Sequence, residues 1–284
     1  MGLKVAVIGG DKRMLFTAKE LLNDGHRVCI AGFDSLLSLC DIWITDIVTA
    51  VSWADMIILP VMPVKGGYLN APYTSDKIRI GELLRLTGEK PVFSGSAQLL
   101  LPYKHHSLYD YAAREDFTYR NAELTAEGAL SLILSDYEGS VCGSRILVTG
   151  YGRIAKLLSE MLRCMGAEVT VAARKDADRA LIGLRGMTAT GFGEIDYSVY
   201  DIIFNTVPAP IIGAEEIDRM REDVFVVDLA SLPGGVDFNR AGERGLSCIH
   251  ALSLPGSTAP LAAGCIIKDT IITILSELNG AGSV

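Results

Sequence analysis

The sequence is short of basic residues and has no long hydrophobic run. It holds 26 lysines and arginines against 34 aspartates and glutamates, so its formal net charge is −8 at pH 7. It has no basic stripe with interleaved aromatic residues, which argues against a nucleic-acid partner. The apolar segments 57–61 and 266–275 are shorter than the roughly 20 residues that cross a membrane, and the first residues lack a signal-peptide pattern. We therefore expect a cytoplasmic protein without a membrane or nucleic-acid partner.

Cysteine and histidine are also scarce, with six and four residues respectively. The cysteines lie in apolar contexts without C-x-x-C pairs or metal-ligand spacing, so we expect reduced core residues. They are Cys29, Cys40, Cys142, Cys164, Cys248 and Cys265. Neither a metal-ligand cluster nor a Ser-His-Asp arrangement is evident, and the sequence predicts no metal site.

The most informative segment that is present is 145–155, Arg-Ile-Leu-Val-Thr-Gly-Tyr-Gly-Arg-Ile-Ala. A strand pattern precedes Gly150, Gly152 and Ala155 at G-x-G-x-x-A spacing, and a helical pattern and a second strand follow. In such a turn the glycines allow a sharp bend and a close approach of backbone N–H groups to a pyrophosphate. The alternative is a glycine turn without a ligand, but the full strand–helix–strand context favours a dinucleotide site. That site should also include Tyr151, Arg153 and Ile154.

The end of the second strand indicates which dinucleotide binds. An NAD site carries Asp or Glu about 20 residues after the first glycine, where it accepts from the ribose 2′-hydroxyl. This chain has Ala172, Ala173, Arg174 and Lys175 there. A guanidinium can hold a 2′-phosphate through two parallel hydrogen bonds, whereas a carboxylate would repel it. We predict NADP, bound by Arg174 and Lys175; the alternative is that both cations only solvate a strand end.

Three later loops follow further predicted strands. In the first, Asn and Thr side chains could hold sugar hydroxyls, or Asn205 and Pro208 could simply end the strand. The second follows a strand at 224–229, and the third is a constrained loop at 255–260. The cofactor-site residues expected from these loops are Asn205, Thr206, Val207, Pro208, Ala230 and Pro255.

The first half opens with its own strand, helix and strand. Its turn, Gly9-Gly10-Asp11-Lys12-Arg13, lacks the full glycine pattern and places an acid where a phosphate would lie. We predict a flavodoxin-like or Rossmann-like substrate domain at 1–120. An interdomain helix and linker should follow at 121–140, and a Rossmann domain with a doubly wound parallel sheet at 141–260. A helix at about 261–284 should pack back on the first domain.

Glu127 lies near the start of the helix predicted at 121–136. It could be a buried functional acid. Alternatively, it stabilises the first helical turn, because acids are favoured near helix N-termini.

Several motifs together resemble the A-chain family of dipicolinate synthase. They are Ile8-Gly9-Gly10-Asp11 with Arg13, Asn121-Ala122 with Thr125-Ala126-Glu127-Gly128, Gly150-Tyr151-Gly152-Arg153-Ile154, Asn205-Thr206-Val207-Pro208, and Pro255-Gly256 with Ala259-Pro260. The resemblance runs along nearly the whole chain in the same order. One departure is Ser257, where a lysine is expected.

The resemblance implies an NADP-dependent oxidation of a dihydrodipicolinate-type ring, derived from 4-hydroxy-tetrahydrodipicolinate, to pyridine-2,6-dicarboxylate. It also implies a partner, the dipicolinate synthase B subunit, and a role in the mother cell of a spore-forming bacterium. We expect a homo-oligomer as well.

Such a substrate needs charge partners for two carboxylates and a proton acceptor. The candidate cations are Arg13, Lys65 and Lys104, of which Arg13 is favoured because it follows the first strand; it could otherwise be a solvated helix-start cation. Asp11 could orient Arg13 or cap the helix. The candidate proton acceptors are His105, His106 and Glu127, although adjacent histidines on a polar segment are commonly surface residues.

Two other functions remain open. A shikimate- or hydroxyacid-type dehydrogenase would use the same cofactor residues, but the hydroxyacid enzymes need a histidine with an acid partner. The second half has only His250, without an evident acid. A non-catalytic NADP-sensing module is the other alternative.

Overall fold

The two halves of the chain form separate α/β units. The computed structural model describes residues 2–36 and 42–281. The first unit combines Met1–Asn121 with Ala259–Val284, and the second comprises Ala122–Thr258.

Strands and helices alternate along both units. The strands of the described residues are β1 (Lys4–Ile8), β2 (Arg27–Ala31), β3 (Trp43–Ile44), β4 (Met56–Ile58), β5 (Val64–Lys65), β6 (Tyr68–Leu69), β7 (Val92–Ser94), β8 (Leu108–Asp110), β9 (Arg145–Thr149), β10 (Glu168–Ala172), β11 (Thr188–Thr190), β12 (Ile202–Asn205), β13 (Phe225–Asp228) and β14 (Ser247–His250). The helices are α1 (Lys12–Asn23), α2 (Ile47–Trp53), α3 (Ile80–Thr87), α4 (Glu115–Asp136), α5 (Arg153–Cys164), α6 (Asp176–Leu184), α7 (Ala214–Asp218), α8 (Phe238–Glu243), α9 (Leu254–Thr258) and α10 (Pro260–Ala281).

Each unit is built on one six-stranded parallel sheet. The strand orders are β3-β2-β1-β4-β7-β8 and β11-β10-β9-β12-β13-β14. Both orders reverse beside the first strand of the unit, as in dinucleotide-binding folds. The first unit therefore has the Rossmann order, not the flavodoxin order. The deciding strand, β3, is only two residues long, too short to leave a recognisable pattern.

Both sheets are covered on both faces, as parallel sheets require. In β1, Val5 and Val7 join the core beneath α1 and α10, whereas Ala6 and Ile8 join the core beneath α2 and α3. This division follows from the two-residue period of a strand. Strand β9 divides its side chains between two cores in the same way.

Two elements differ from the sequence-based predictions. Helix α4 begins at Glu115 rather than at 121, with Glu115 and Asp116 in a first turn that favours acids. The boundary between the two units falls inside this helix, after Asn121. The loop predicted at 255–260 contains helix α9.

The cysteines are less buried than predicted. Cys29 is buried, and burial raises the pKa of its thiol to about 11. Cys142 and Cys164 are exposed, so the prediction of core positions was wrong for both, because Cys142 lies in the segment between α4 and β9 and Cys164 is the last residue of α5. These three thiols and those of Cys248 and Cys265 are free, whereas Cys40 lies outside the described residues. No helix in the described segments has the length and apolarity to cross a membrane.

Helix α10 packs closely on α1 within the first unit. A Cβ at Gly264 would lie 2.6 Å from the Cβ of Phe16 and 2.8 Å from the Arg13 carbonyl oxygen. The Thr17 hydroxyl is 3.1 Å from the Gly264 carbonyl and donates to it. Glycine is therefore required where the two helices meet.

The variant Gly264→Ala should be less stable than the wild type, although alanine has the higher helix propensity. We expect a net loss of about 1–2 kcal/mol in the free energy of unfolding, because overpacking outweighs the gain in propensity. Urea denaturation followed by circular dichroism measures the change. The control is Gly280→Ala in the same helix, where a Cβ meets nothing within 4 Å and no loss is expected. A Gly264→Ala protein as stable as the wild type would contradict the close approach.

Candidate functional site

The turn between β9 and α5 has the geometry of a dinucleotide-binding turn. Gly150 has a φ of +91°, and its N–H donates to the Ala172 carbonyl at 2.9 Å. A Cβ at Gly150 would lie 2.6 Å from Thr206 Oγ1 and 2.9 Å from Val207 Cγ2, so only glycine fits. A Cβ at Gly152 would meet no atom within 4 Å. The space next to Gly152 is therefore open.

This space belongs to a cavity of about 300 Å³ within the second unit. The turn at 150–152, the strand end at 173–175 and the loop at 206–208 border it. Gly152 is the N-cap residue of α5 and supplies no side-chain cap. The positive end of the helix dipole thus borders a cavity suited to a pyrophosphate.

The cavity has a cationic rim where β10 ends. Arg174 and Lys175 are exposed and line it. Asp178 of α6 and Phe192, which follows β11, line it too. The sequence does not indicate these two residues, because neither belongs to the glycine pattern.

Tyr151 borders the cavity, whereas Ile154 does not. Both pack partly buried against the core beneath β9. The Tyr151 hydroxyl is buried with no hydrogen-bond partner among the described residues, and burial raises its pKa. These two residues can serve a cofactor through their main chain. Arg153 is exposed at the first position of α5.

Asn205 locks the strand ends together. Its Oδ1 accepts from Thr149 Oγ1 at 2.7 Å and from the Val207 N–H at 3.0 Å. Its Nδ2 donates to the Val207 carbonyl at 3.0 Å and to Asp228 Oδ1 at 2.7 Å. All its hydrogen-bonding positions are used, so the expected contact of this side chain with a sugar hydroxyl is disfavoured. The Thr206 hydroxyl likewise donates to the Thr149 carbonyl at 2.8 Å.

Asp228, which sequence analysis did not single out, is the centre of this buried network. Its carboxylate accepts from the Ala230 N–H at 3.0 Å and the Gly235 N–H at 2.7 Å. His250 stands beside it in register on β14 and donates from Nε2 to the Ala230 carbonyl at 3.0 Å. His250 thus has an acid neighbour that the sequence did not show, but its ring is bonded to the main chain.

Ala230 and Pro255 do not line the cavity. Both are buried, Ala230 between Asp228 and His250, and Pro255 inside α9. Any effect of these two residues on a cofactor would have to be indirect.

The corresponding turn of the first unit is filled by its own chain. Gly9 and Gly10 have φ values of +70° and +95°. The Gly9 N–H donates to the Ala31 carbonyl, as in the second unit, but the Gly10 N–H donates to the Asn70 carbonyl at 2.8 Å. A Cβ at Gly9 would lie 2.8 Å from the Leu69 side chain. The end of the β5–β6 hairpin thus occupies the place that a pyrophosphate takes in a nucleotide site.

Asp11 and Arg13 form a rigid ion pair at this turn. Asp11 caps α1 by accepting from the Arg13 N–H at 3.0 Å. The Arg13 Nε and Nη2 donate to the same carboxylate at 2.9 and 2.6 Å. Asp11 therefore both caps the helix and orients the arginine. Arg13 is only 9% exposed, so it is not a solvated cation.

A tyrosine that sequence analysis missed lies close to this pair. Tyr111 is fully buried and donates to the Leu59 carbonyl at 3.0 Å. Burial raises the pKa of Tyr111, and the positive charge of Arg13 opposes this shift. The hydroxyl therefore remains a hydrogen-bond donor at neutral pH.

The other predicted cations of the first unit are exposed. Lys65 lies on the β5–β6 hairpin, and Lys104 has a left-handed conformation with a φ of +53°. The structure fixes neither side chain in the way that it fixes Arg13.

His105 and His106 lie at the opposite edge of the sheet from Arg13. The His105 Nε2 is 2.9 Å from the hydroxyl of Thr87, the last residue of α3, and the segment pairs with the start of β7. Burial lowers the pKa of His105, and His106 is exposed. Because ligands of open parallel sheets bind at the carboxyl edge, this placement disfavours both histidines as proton acceptors.

Glu127 is exposed in the middle of α4. It is neither buried nor in the first turn, so the predicted burial and the predicted first-turn position were both wrong; a functional role for Glu127 stays a prediction. The helix starts earlier than predicted, and its buried face carries Thr125, Ala126 and Ala129 instead. No group of three or more His, Cys, Asp or Glu within 2–36 and 42–281 could hold a metal ion.

Comparison with known proteins identifies the family. The chain is 30% identical over 293 residues to the A subunit of dipicolinate synthase from Bacillus subtilis (strain 168), covering 98% of this chain and 97% of that protein. The chain belongs to the A-chain family of dipicolinate synthase. Residues 4–102 also match the family model that describes the N-terminal domain of this A chain.

Solved structures of dipicolinate synthase A chains have the same fold. The protein from Bacillus halodurans matches with a TM-score of 0.86 and 28% identity, covering 97% of this chain and 98% of that one. The Bacillus subtilis protein matches with a TM-score of 0.84 and 30% identity, covering 99% and 98%. A transhydrogenase from Sinorhizobium meliloti, at 15% identity and a TM-score of 0.65 with 96% and 94% covered, shares the fold alone.

This member of the family carries Ser257 where the sequence resemblance leads us to expect a lysine. Its hydroxyl donates to the Leu254 carbonyl at 3.1 Å inside α9. Ser257 therefore has a local structural role in this chain.

The variant Asp228→Asn should destabilise this dipicolinate synthase homologue. Three donors point at the carboxylate, and an amide would direct its own N–H groups at some of them. We expect a loss of about 2–3 kcal/mol in unfolding free energy, measured by urea denaturation. The control Asp223→Asn changes an exposed carboxylate paired with Arg221 and should leave the denaturation midpoint unchanged. Equal denaturation midpoints for both variants would contradict the stabilising role of the buried hydrogen-bond network around Asp228.

Proposed function

We propose that this protein is an NADP-dependent oxidoreductase that converts a dihydrodipicolinate-type ring into pyridine-2,6-dicarboxylate. Family membership supports the reaction. The observation that carries the cofactor assignment is the open turn at Gly152 beside Arg174 and Lys175.

The residues of the cavity fit a phosphorylated dinucleotide. The turn offers backbone N–H groups and a helix N-terminus to a pyrophosphate. Arg174 can bind a 2′-phosphate through two hydrogen bonds, and Lys175 adds a second positive charge. When bound, the nicotinamide supplies a hydride acceptor.

Arg13 is the residue we assign to a substrate carboxylate. Asp11 engages its Nε and Nη2, and no acceptor in the described part of the chain bonds its Nη1. The guanidinium is held in place before any ligand arrives, so little side-chain entropy is lost on binding. Because aromatisation drives the reaction, the residues need only orient the ring and balance its carboxylates. Lys65 and Lys104 are the competing cations.

We further propose that the protein acts with a B subunit, because its Bacillus subtilis relative is named as one of the subunits of dipicolinate synthase. A homo-oligomer in the mother-cell cytoplasm of a spore-forming bacterium completes the proposal.

The proposal is tested by incubating the purified protein with 4-hydroxy-tetrahydrodipicolinate and NADP, with and without the B subunit. Dipicolinate absorbance and NADPH should rise together. Tight NADP binding without turnover in either mixture would favour the NADP-sensing module, and turnover of a hydroxyacid or shikimate-type substrate instead would favour the other alternative.

In the same assay, Arg13→Lys should raise the KM for the ring substrate by about tenfold. An ammonium group cannot reproduce the planar, two-donor geometry with which a guanidinium binds a carboxylate. The KM for NADP should not change. Lys65→Met and Lys104→Met are matched controls and should behave as the wild type. A raised substrate KM in either of these, with none in Arg13→Lys, would move the carboxylate site to that lysine.

Gly152→Val should abolish NADP binding and leave the fold intact. The added side chain enters space that is empty of protein atoms and that the pyrophosphate needs. Calorimetric titration with NADP measures binding, and the thermal midpoint reports folding. The control Gly183→Val also adds atoms to open space, on α6, and should bind NADP normally. An unchanged titration of Gly152→Val would contradict the assignment of the turn.

A further inference from the structure

Arg179 holds the main chain of the cationic rim. Its Nη1 donates to the Ala173 carbonyl at 2.9 Å and to the Arg174 carbonyl at 3.1 Å. Its Nη2 pairs with Asp176, in the first turn of α6. The guanidinium thus reaches back from the helix and bonds two consecutive peptide groups that lead into Arg174 and Lys175.

The rim has little other support. Arg174 and Lys175 are exposed, and Lys175 is the N-cap residue of α6 without a side-chain cap. By contrast, Ala173 just before them is buried, and its N–H donates to the Thr190 carbonyl at 3.0 Å. Arg179 therefore fixes the main chain just beyond the point where the sheet ceases to support it.

Arg179 also changes the charge of the rim. Asp176 directly follows Lys175, and its side chain is 92% exposed. The ion pair with Arg179 offsets the negative charge of Asp176, which would otherwise oppose an anion bound beside Arg174.

We infer that Arg179 is a positioning residue that sets the preference of this site for a 2′-phosphorylated adenosine. It acts through the carbonyls of Ala173 and Arg174, which preorganise the Arg174 and Lys175 side chains. The inference rests on the proposed NADP site and adds the residue that holds the main chain of the cationic rim in place.

The test is calorimetric titration of the full-length protein with 2′,5′-ADP and with 5′-AMP. The wild type should bind 2′,5′-ADP more tightly. Arg179→Met should lower the affinity for 2′,5′-ADP by about fivefold to tenfold, because the main chain of the cationic rim must then be ordered on binding. The affinity for 5′-AMP should stay within about twofold, since its phosphate meets the glycine turn instead.

Two further variants separate positioning from charge. Arg179→Lys keeps the positive charge but lacks the planar guanidinium that bonds the carbonyls of Ala173 and Arg174. Its binding of 2′,5′-ADP should therefore remain weaker than that of the wild type. The double variant Asp176→Asn with Arg179→Met removes both charges, and its binding of 2′,5′-ADP should also remain weaker than that of the wild type. If either variant bound 2′,5′-ADP as tightly as the wild type, the positioning role would be overturned, and the effect of Arg179→Met would be explained by charge alone.

Arg219→Met is the matched control for a lost cation. Arg219 bonds the Glu215 carbonyl and the Glu216 carboxylate in the first turn of α7, away from the cavity, and its variant should bind both nucleotides normally. A wild type without preference for 2′,5′-ADP would contradict the NADP proposal itself. A wild-type preference that Arg179→Met retains in full would refute the role of Arg179 alone.

Discussion

The second unit depends on the close contact between Gly150 and the loop after β12. Thr206 and Val207 approach the turn so closely that a Cβ at Gly150 would overlap both. Asn205 and Asp228 fix that loop from beneath, joining the ends of β9, β12 and β13 through buried hydrogen bonds. These hydrogen bonds join the ends of all three strands, so the protein itself holds the main chain of the turn beside the open space at Gly152. Preorganisation of this kind lowers the entropy lost when a cofactor binds.

The two units show how one strand order leads to different sites. Both sheets have the same order, and in both the first turn carries at least one glycine with positive φ. In the first unit, however, the β5–β6 hairpin supplies the Asn70 carbonyl to the Gly10 N–H, and Asp11 stands at the helix N-cap. A carboxylate and a carbonyl there exclude a phosphate, while the same carboxylate orients the buried Arg13. This turn is thus unsuited to a dinucleotide, which supports the proposed role of Arg13 toward a substrate carboxylate.

Local patterns predicted the regular elements well, because strands and helices bury side chains with characteristic periods. The strand before the glycine turn at 150–152, the helix after it and the second strand are present as β9, α5 and β10. The short strand β3 and the start of α4 were missed, since two residues leave no period and the N-terminal turns of α4 are polar. Misplacing that start caused the error at Glu127. The prediction for His105 rests on side-chain chemistry alone, and only the sheet shows that this residue lies at the amino edge, which disfavours that role.

The sequence by itself determined the glycine turn, the missing acid at the end of β10 and the ion pair partners Asp11 and Arg13, because each depends on residues close together in the chain. Only the tertiary structure decided that Asn205 is consumed by internal hydrogen bonds, that Asp228 lies at the centre of them, and that the hairpin closes the first turn. The contacts that decide these features, Thr149 with Asn205, Asn205 with Asp228 and Gly10 with Asn70, join residues more than 20 positions apart in the chain. No local pattern encodes such pairings, since they arise from the order in which the strands assemble.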